Sequence, residues 1–227
     1  MHILDHRLWF PPLTAANDDG MLAIGGDLSL PRLLLAYRSG IFPWYSGDIP
    51  LWWSPDPRFV LFPEKLHIGK HLQRIIRQQQ FNITVNKAFA QVIDACAETP
   101  RPGQDGTWIN HDMSYAFNNL HKEGWAHSFE AWQDGKLVGG MYGVRLGNIF
   151  FGESMFSSVS YASKAAFVFA VQSMQQQGLS LIDCQVYTPY LESFGAEMIP
   201  RSRFLPLLKQ CLDNDRNETA APRASIL

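Results

Sequence analysis

The alternation of apolar and polar positions along the chain changes period several times, and each change marks an element. From His67 to Gln79, Ile68, Leu72, Ile75 and Ile76 recur at helical spacing, while Lys70, Arg74 and Arg77 share a polar face at i, i+4 and i+7. Residues 83 to 97 read as a strand entering a helix, and a further helix runs from about Asp112 to Glu123, with Gly124 as its stop. The period then drops to two. Ser128 to Trp132 alternates, Asp134-Gly135 signals a tight turn, Leu137 to Leu146 is the partner strand, and Gly147-Asn148 turns into Ile149 to Phe156. After these antiparallel strands the pattern predicts a helix from Ala162 to Gln177 ended by Gly178, a returning strand from Leu179 to Val186, and a helix near Arg203 to Leu212. A meander followed by a helix and a further strand is an α+β arrangement, with the helix packed on one face of a mostly antiparallel sheet.

The chain before residue 64 reads differently. It is rich in Pro, Gly and Trp and holds one clear helix, with Ser29 as N-cap, Pro31 in the first turn, Gly40 as the stop, and Leu33, Leu34 and Tyr37 as its apolar face. An aromatic cluster follows in Phe42-Pro43-Trp44-Tyr45 and Leu51-Trp52-Trp53-Ser54-Pro55-Asp56-Pro57, where prolines stiffen the backbone that holds the rings. Most such tryptophans pack in a core, and Trp44 is the one best placed to offer a ring face to a ligand. These shifts predict a small N-terminal domain over residues 1–63, a larger domain over 64–212, and a disordered tail over 213–227, where apolar residues are few.

Composition narrows the classes. With 46% hydrophobic and 18% charged residues in 227, the chain reads as a soluble globular protein. Its longest apolar run, Ala165 to Val171, falls well short of the roughly 18 residues that span a bilayer, and no basic, then apolar leader opens it, so neither membrane nor secretion is expected. Cys96, Cys184 and Cys211 form no C-x-x-C pair, which argues against a disulfide framework or zinc knuckle and fits a reducing cytoplasm. A net charge of −2 does not suit a protein that coats nucleic acid, so any such contact needs a local patch, and Lys70, Arg74 and Arg77 are the densest one. His67 and His71 have the spacing of a metal pair but lack a third ligand in register, and no metal is expected.

Cofactor signatures are missing. No G-x-x-x-x-G-K-[ST] loop occurs, Gly139-Gly140 and Gly143 lie inside a hairpin, and Ser154 is not followed two residues later by the glycine of a nucleophile elbow. What remains lies between residues 137 and 185. On a regular strand Asp183 and Gln185 would point to one side and Ile182, Cys184 and Val186 to the other, leaving a carboxylate and a carboxamide on one surface. A strand end reaching solvent is the plain alternative. With Glu153 nearby and Met141, Phe150 and Met155 as apolar neighbours, the set suits recognition of a cationic group, general-base work, or both. Methionines adapt their shape, so such a pocket admits more than one large side chain.

Nine ordered segments then resemble one family, the leucyl/phenylalanyl-tRNA–protein transferases: Gly25-Gly26-Asp27-Leu28, Gly40-Ile41-Phe42-Pro43-Trp44, Trp52-Trp53-Ser54-Pro55-Asp56-Pro57-Arg58, Gly106-Thr107-Trp108-Ile109, His127-Ser128, Leu137-Val138-Gly139-Gly140-Met141-Tyr142-Gly143, Gly152-Glu153-Ser154-Met155-Phe156-Ser157, Ala162-Ser163-Lys164 and Ile182-Asp183-Cys184-Gln185. The resemblance implies a C-terminal domain like the N-acetyltransferase superfamily. It also implies transfer of Leu, Phe or, less readily, Met from tRNA to the α-amine of proteins beginning with Arg or Lys, which marks them for degradation through the N-degron pathway. The partners would be aminoacyl-tRNA and acceptor protein, without DNA, and no cofactor would be needed because the ester is already activated.

Residue by residue, the resemblance makes Asp183 and Gln185 the catalytic pair and Glu153 a carboxylate for the basic acceptor. It gives Trp44 and Trp108 the terminal adenosine, and Met141, Phe150 and Met155 the aminoacyl pocket. Ala170 stands where an aromatic is expected on the helix after Ser163-Lys164, with Phe167 and Phe169 nearby, which bears on pocket depth. Lys70, Arg74 and Arg77 would meet tRNA phosphates. Because an ordinary Asp is about 4 units, or roughly 5.5 kcal/mol, too acidic to deprotonate an α-amine, Asp183 is expected to polarise Gln185 or bind the ammonium. A coenzyme-A-dependent acetyltransferase would want a [QR]-x-x-G-x-[GA] loop where this chain reads Ser157-Ser158-Val159-Ser160-Tyr161. An inactive tRNA-binding module would not need Glu153, Asp183 and Gln185 together.

Overall fold

A computed structural model of the chain describes residues 2–99 and 109–216. The chain opens with β1 (His2–Leu4), β2 (Met21–Gly25), α1 (Leu30–Arg38), β3 (Phe42–Pro43) and β4 (Leu51–Trp53). These strands form a four-stranded sheet in the order β1-β2-β4-β3. Ser29 occupies the N-cap position of α1 without a side-chain cap bond, Pro31 sits in its first turn, and Gly40 follows with φ +75°.

The remaining elements are β5 (Arg58–Leu61), α2 (Lys70–Arg77), β6 (Asn82–Val85), α3 (Phe89–Glu98), α4 (His111–Lys122), β7 (Ala126–Gln133), β8 (Lys136–Leu146), β9 (Ile149–Ser157), α5 (Ala162–Gln176), β10 (Leu181–Gln185), α6 (Pro189–Glu192), β11 (Glu197–Ile199) and α7 (Arg201–Arg216). Their strands make a seven-stranded sheet in the order β11-β5-β10-β9-β8-β7-β6. Every pairing in it is antiparallel except β9 with β10, the two strands joined through α5. The fold is α+β, as the periodicity predicts. The hairpin turn at Asp134-Gly135 has both residues at positive φ, 51° and 73°, which is the geometry its sequence signals.

The boundary expected at residue 63 falls after β5, yet β5 pairs with β10 and β11 in the larger sheet, so the crossing between sheets is at residues 54–57. α7 continues to Arg216, past the Asp213 at which the disordered tail is expected to start; residues 217–227 lie outside the described ones.

Strand alternation sends the two faces of the large sheet into different cores. One face carries Tyr142, Val144, Phe151 and Leu181 against α1, α3, α4 and α7, and the same apolar cluster continues through Leu33, Tyr37 and Trp52 of the first sheet unit. The other face carries Met141, Phe150, Ile182 and Cys184 against α5 and α2. Gly139 allows α5 to lie close, since a Cβ there would stand 2.6 Å from that of Ala162.

Candidate functional site

The parallel register of β9 and β10 ends at Phe151 and Asp183. Beyond that pair the strands separate around a cavity of about 540 Å³, lined by Gly152, Glu153 and Met155 of β9, by Ile182, Cys184 and Gln185 of β10, by Phe167 of α5, by Tyr190 of α6, and by Phe42, Pro43 and Trp44. A mouth between parting strands is where open mixed sheets leave room for ligands.

Each strand carries a β-bulge at this point. On β9 the register with β8 slips between Tyr142↔Ser154 and Gly143↔Gly152, making Glu153 the extra residue. On β10 the register with β5 slips between Asp183↔Val60 and Gln185↔Phe59, making Cys184 the extra residue, and Gln185 takes φ 65°. A bulge re-aims side chains that strict alternation would fix. Opposite the first bulge only glycine fits at 143, where a Cβ would meet the Phe151 carbonyl oxygen at 2.2 Å.

The bulges separate the roles of the two residues expected to share a surface. Asp183 is fully buried and points into the core shared with α1 and α7. The Arg58 guanidinium donates Nε to Asp183 Oδ1 at 2.8 Å and Nη2 to Oδ2 at 2.7 Å, and Oδ1 also accepts the Gln185 backbone N–H at 2.9 Å. Arg58 is itself buried between the rings of Phe42 and Phe204, 4.7 and 4.9 Å from their centroids, and donates to the Gly40 carbonyl at 3.2 Å. With its oxygens held in this way, Asp183 is not among the residues that line the cavity. Its bond to the Gln185 N–H fixes the backbone of that residue.

Gln185 does line the cavity. Its Nε2 donates to Glu153 Oε1 at 2.9 Å, and the phenol of Tyr37, from α1, donates to that same oxygen at 2.8 Å. Glu153 Oε2 is shut off from solvent and has no hydrogen-bond partner among the described residues. Burial pushes the Glu153 carboxyl up to about 8, with Asp183 adding to the rise and Tyr37, Gln185 and Arg58 opposing it. Oε1 thus carries two donors and Oε2 is closed off, while Glu153 as a residue is half-buried and contributes to the cavity wall. The carboxamide of Gln185 is one of the polar groups of the cavity wall, with Nε2 toward the carboxylate and Oε1 without a partner among the described residues.

Of the expected aminoacyl pocket, Met141 and Met155 line the cavity, whereas Phe150 and Ala170 lie fully buried behind it in the same apolar cluster. Phe167 is the aromatic that α5 sends into the wall, and Phe169 faces outward, 40% exposed. Trp44 lines the cavity and leans on Trp53, with ring centroids 5.5 Å apart. Trp108 lies outside the described residues. Lys70, Arg74 and Arg77 are exposed on α2, whose apolar side packs on α5, and they are not part of the cavity wall. His71 lies against the Tyr161 ring, and among the described residues no group of three metal-ligating side chains gathers.

Sequence reasoning missed Tyr37 as a polar contributor and Arg58 altogether. The signals were present: a tyrosine on the buried face of a short helix carries a hydroxyl that needs a partner, and an arginine opening the apolar strand Arg58-Phe59-Val60-Leu61 must be paired if it is buried.

The profile of the leucyl/phenylalanyl-tRNA protein transferase family matches residues 60–209, and that of the family's N-terminal domain matches residues 26–56. Curated relatives named leucyl/phenylalanyl-tRNA–protein transferase are similar over most of the chain. That of Saccharophagus degradans is 53% identical over 92% of this chain and 87% of its own length, and that of Flavobacterium johnsoniae is 50% identical over 92% and 99%. Among solved structures, L-PGS from Bacillus licheniformis aligns with a TM-score of 0.39 at 15% identity, over 76% of this chain and 57% of that one. A GCN5-related N-acetyltransferase-like protein from Streptococcus suis aligns at 0.34 and 15%, over 78% and 68%. On the strength of the profile and these relatives, the chain belongs to the leucyl/phenylalanyl-tRNA–protein transferase family.

Proposed function

We propose that the chain moves leucine or phenylalanine, and less readily methionine, from its tRNA to the α-amine of a protein that begins with Arg or Lys. The observation that carries this reading is the cavity at the parted strands, which joins an apolar wall of Met141, Met155, Phe167 and Ile182 to the single carboxamide of Gln185. The apolar wall suits a large aliphatic or aromatic aminoacyl side chain, and methionines adapt to more than one. Trp44 offers a ring against which the terminal adenine can stack, a role that Trp108 shares by resemblance.

The reaction is aminolysis of an ester. The amine lone pair attacks the carbonyl carbon, the C–N bond forms, the bond from carbon to the ribose oxygen breaks, and a proton leaves nitrogen and ends on that oxygen. The ester is already activated, so alignment of the two reactants supplies much of the acceleration. Gln185 Oε1 accepts an N–H of the attacking amine and turns its lone pair toward the carbonyl. Lys70, Arg74 and Arg77 meet tRNA phosphates, which positions the body of the tRNA without reading its bases. The marked protein then enters the N-degron pathway in the cytoplasm. No helix among the described residues is long and apolar enough to cross a membrane.

The test uses purified protein, radiolabelled Phe-tRNA, and peptides beginning with Arg or, as control, Gly. Label is expected on the Arg peptide alone. Label on neither would leave a tRNA-binding module, and label on both would remove the acceptor specificity.

A further inference from the structure

A carboxamide has two unlike ends, and nothing in its own shape decides which one faces a ligand. In this site the decision is made behind it. Glu153 Oε1 accepts from Gln185 Nε2 at 2.9 Å and from the Tyr37 hydroxyl at 2.8 Å, so the amide nitrogen is tethered inward and the oxygen is the end left for the cavity. Tyr37 comes from α1 of the first sheet unit, 116 residues before Glu153, and is fully buried beside Phe151 at 4.9 Å. Because Glu153 is the bulge residue of β9, its side chain can meet α1 and β10 together.

We infer that Tyr37 and Glu153 act as positioning residues, a relay of two hydrogen bonds that holds the Gln185 oxygen toward the acceptor amine. The inference rests on the aminolysis reading above and adds what makes Gln185 competent. The ionised carboxyl serves both donors from Oε1 and has no proton of its own to place. A proton on Oε2 would find no acceptor, since that buried oxygen has no partner among the described residues, whereas a proton on Oε1 is accepted if the Gln185 amide flips to put its oxygen where Nε2 now sits. The amide then turns and presents NH2 to an amine that also needs an acceptor. The groups facing this relay are Tyr37 from α1, Asp183 from β10, Arg58 from β5 and Tyr142 from β8. Burial holds Glu153 at about 8, so the change falls where transfer would be assayed.

The test is Tyr37→Phe, which keeps the ring and removes one donor to the carboxylate. Loss of a neutral hydrogen bond should move the Glu153 ionisation up by about half a unit to one unit. The variant should therefore be several-fold slower at neutral pH, match the wild type well above pH 9, and show its acid limb displaced to higher pH. Glu153→Gln should be slow and lack the limb. The acceptor's own amine titrates near the same pH, but its limb stays in place between variants. A second readout needs no turnover: the 13C carboxyl signal of labelled glutamate, assigned by its absence in Glu153→Gln, should titrate higher in Tyr37→Phe than in the wild type. An unmoved carboxyl titration, or a rate lowered by the same factor at every pH, overturns the inference. Failure of the wild type to label the Arg peptide would count against the transferase reading instead, while the carboxyl titration still judges the relay.

Discussion

Arg58 and Asp183 meet through two parallel hydrogen bonds of 2.8 and 2.7 Å with both side chains out of reach of solvent, 125 residues apart in sequence. Removing one partner strands the other charge in the core. Arg58→Ala should lower stability by about 3–5 kcal/mol in denaturant titrations, and Arg58→Lys should recover little of it because an ammonium cannot form the fork. Replacing both partners, as Arg58→Met with Asp183→Leu, should return much of the stability but not the transfer activity, since the Gln185 N–H then loses its acceptor. Equal recovery of both would mean that Asp183 acts only through the ion pair.

Glu153 also ties stability to pH. Its folded value of about 8 lies above the ordinary 4.5, so between those limits the folded chain binds more protons than the unfolded one. Stability then falls as pH rises from 4.5 toward 8, by an amount on the order of a few kcal/mol. Melting curves between pH 5 and 9 should show this decline, and Glu153→Gln should flatten it. Parallel curves for the two proteins would refute the buried-carboxyl assignment.

The basic face of α2 predicts a salt effect. Changing Lys70, Arg74 and Arg77 together to Glu should weaken tRNA binding strongly and reduce the slope of log affinity against log salt by about two to three. These side chains are exposed, so the melting temperature should hardly move. Unchanged tRNA affinity would assign the phosphate contacts elsewhere.

Phe167 is the aromatic in the cavity wall, and its size should set the room left for the aminoacyl group. Phe167→Leu should cost about 1 kcal/mol of stability and shift kcat/KM toward Phe-tRNA over Leu-tRNA by about tenfold. An unaltered ratio would remove Phe167 from the substrate wall.

The sequence carried the elements well because their periods are clean: the helix starting at Ala162, the hairpin at Asp134-Gly135 and the helix closed by Gly124 all stand where spacing predicts. It misplaced details that depend on partners far along the chain. Alternation put Asp183 and Gln185 on one face because period two cannot anticipate the bulge at Cys184 or the positive φ of Gln185. Tyr37 reads as core from its helix alone, and only the folded sheet brings Glu153 to its hydroxyl. Arg58 sits in a segment that looks like the end of the first domain, yet it belongs to the larger sheet through β10 and β11.

That placement of Arg58 affects the order in which the protein becomes itself. Synthesis delivers the arginine long before the aspartate, and until β10 arrives the guanidinium has no carboxylate to accompany it into the core. The first sheet shares its interior with the second, since Leu33, Tyr37 and Trp52 lie in one apolar cluster with Phe151 and Leu181. The strand that completes the packing also carries Gln185. A chain cut before β10 would lack Asp183 and Gln185 together, so the strand that completes the core is also the one that completes the site.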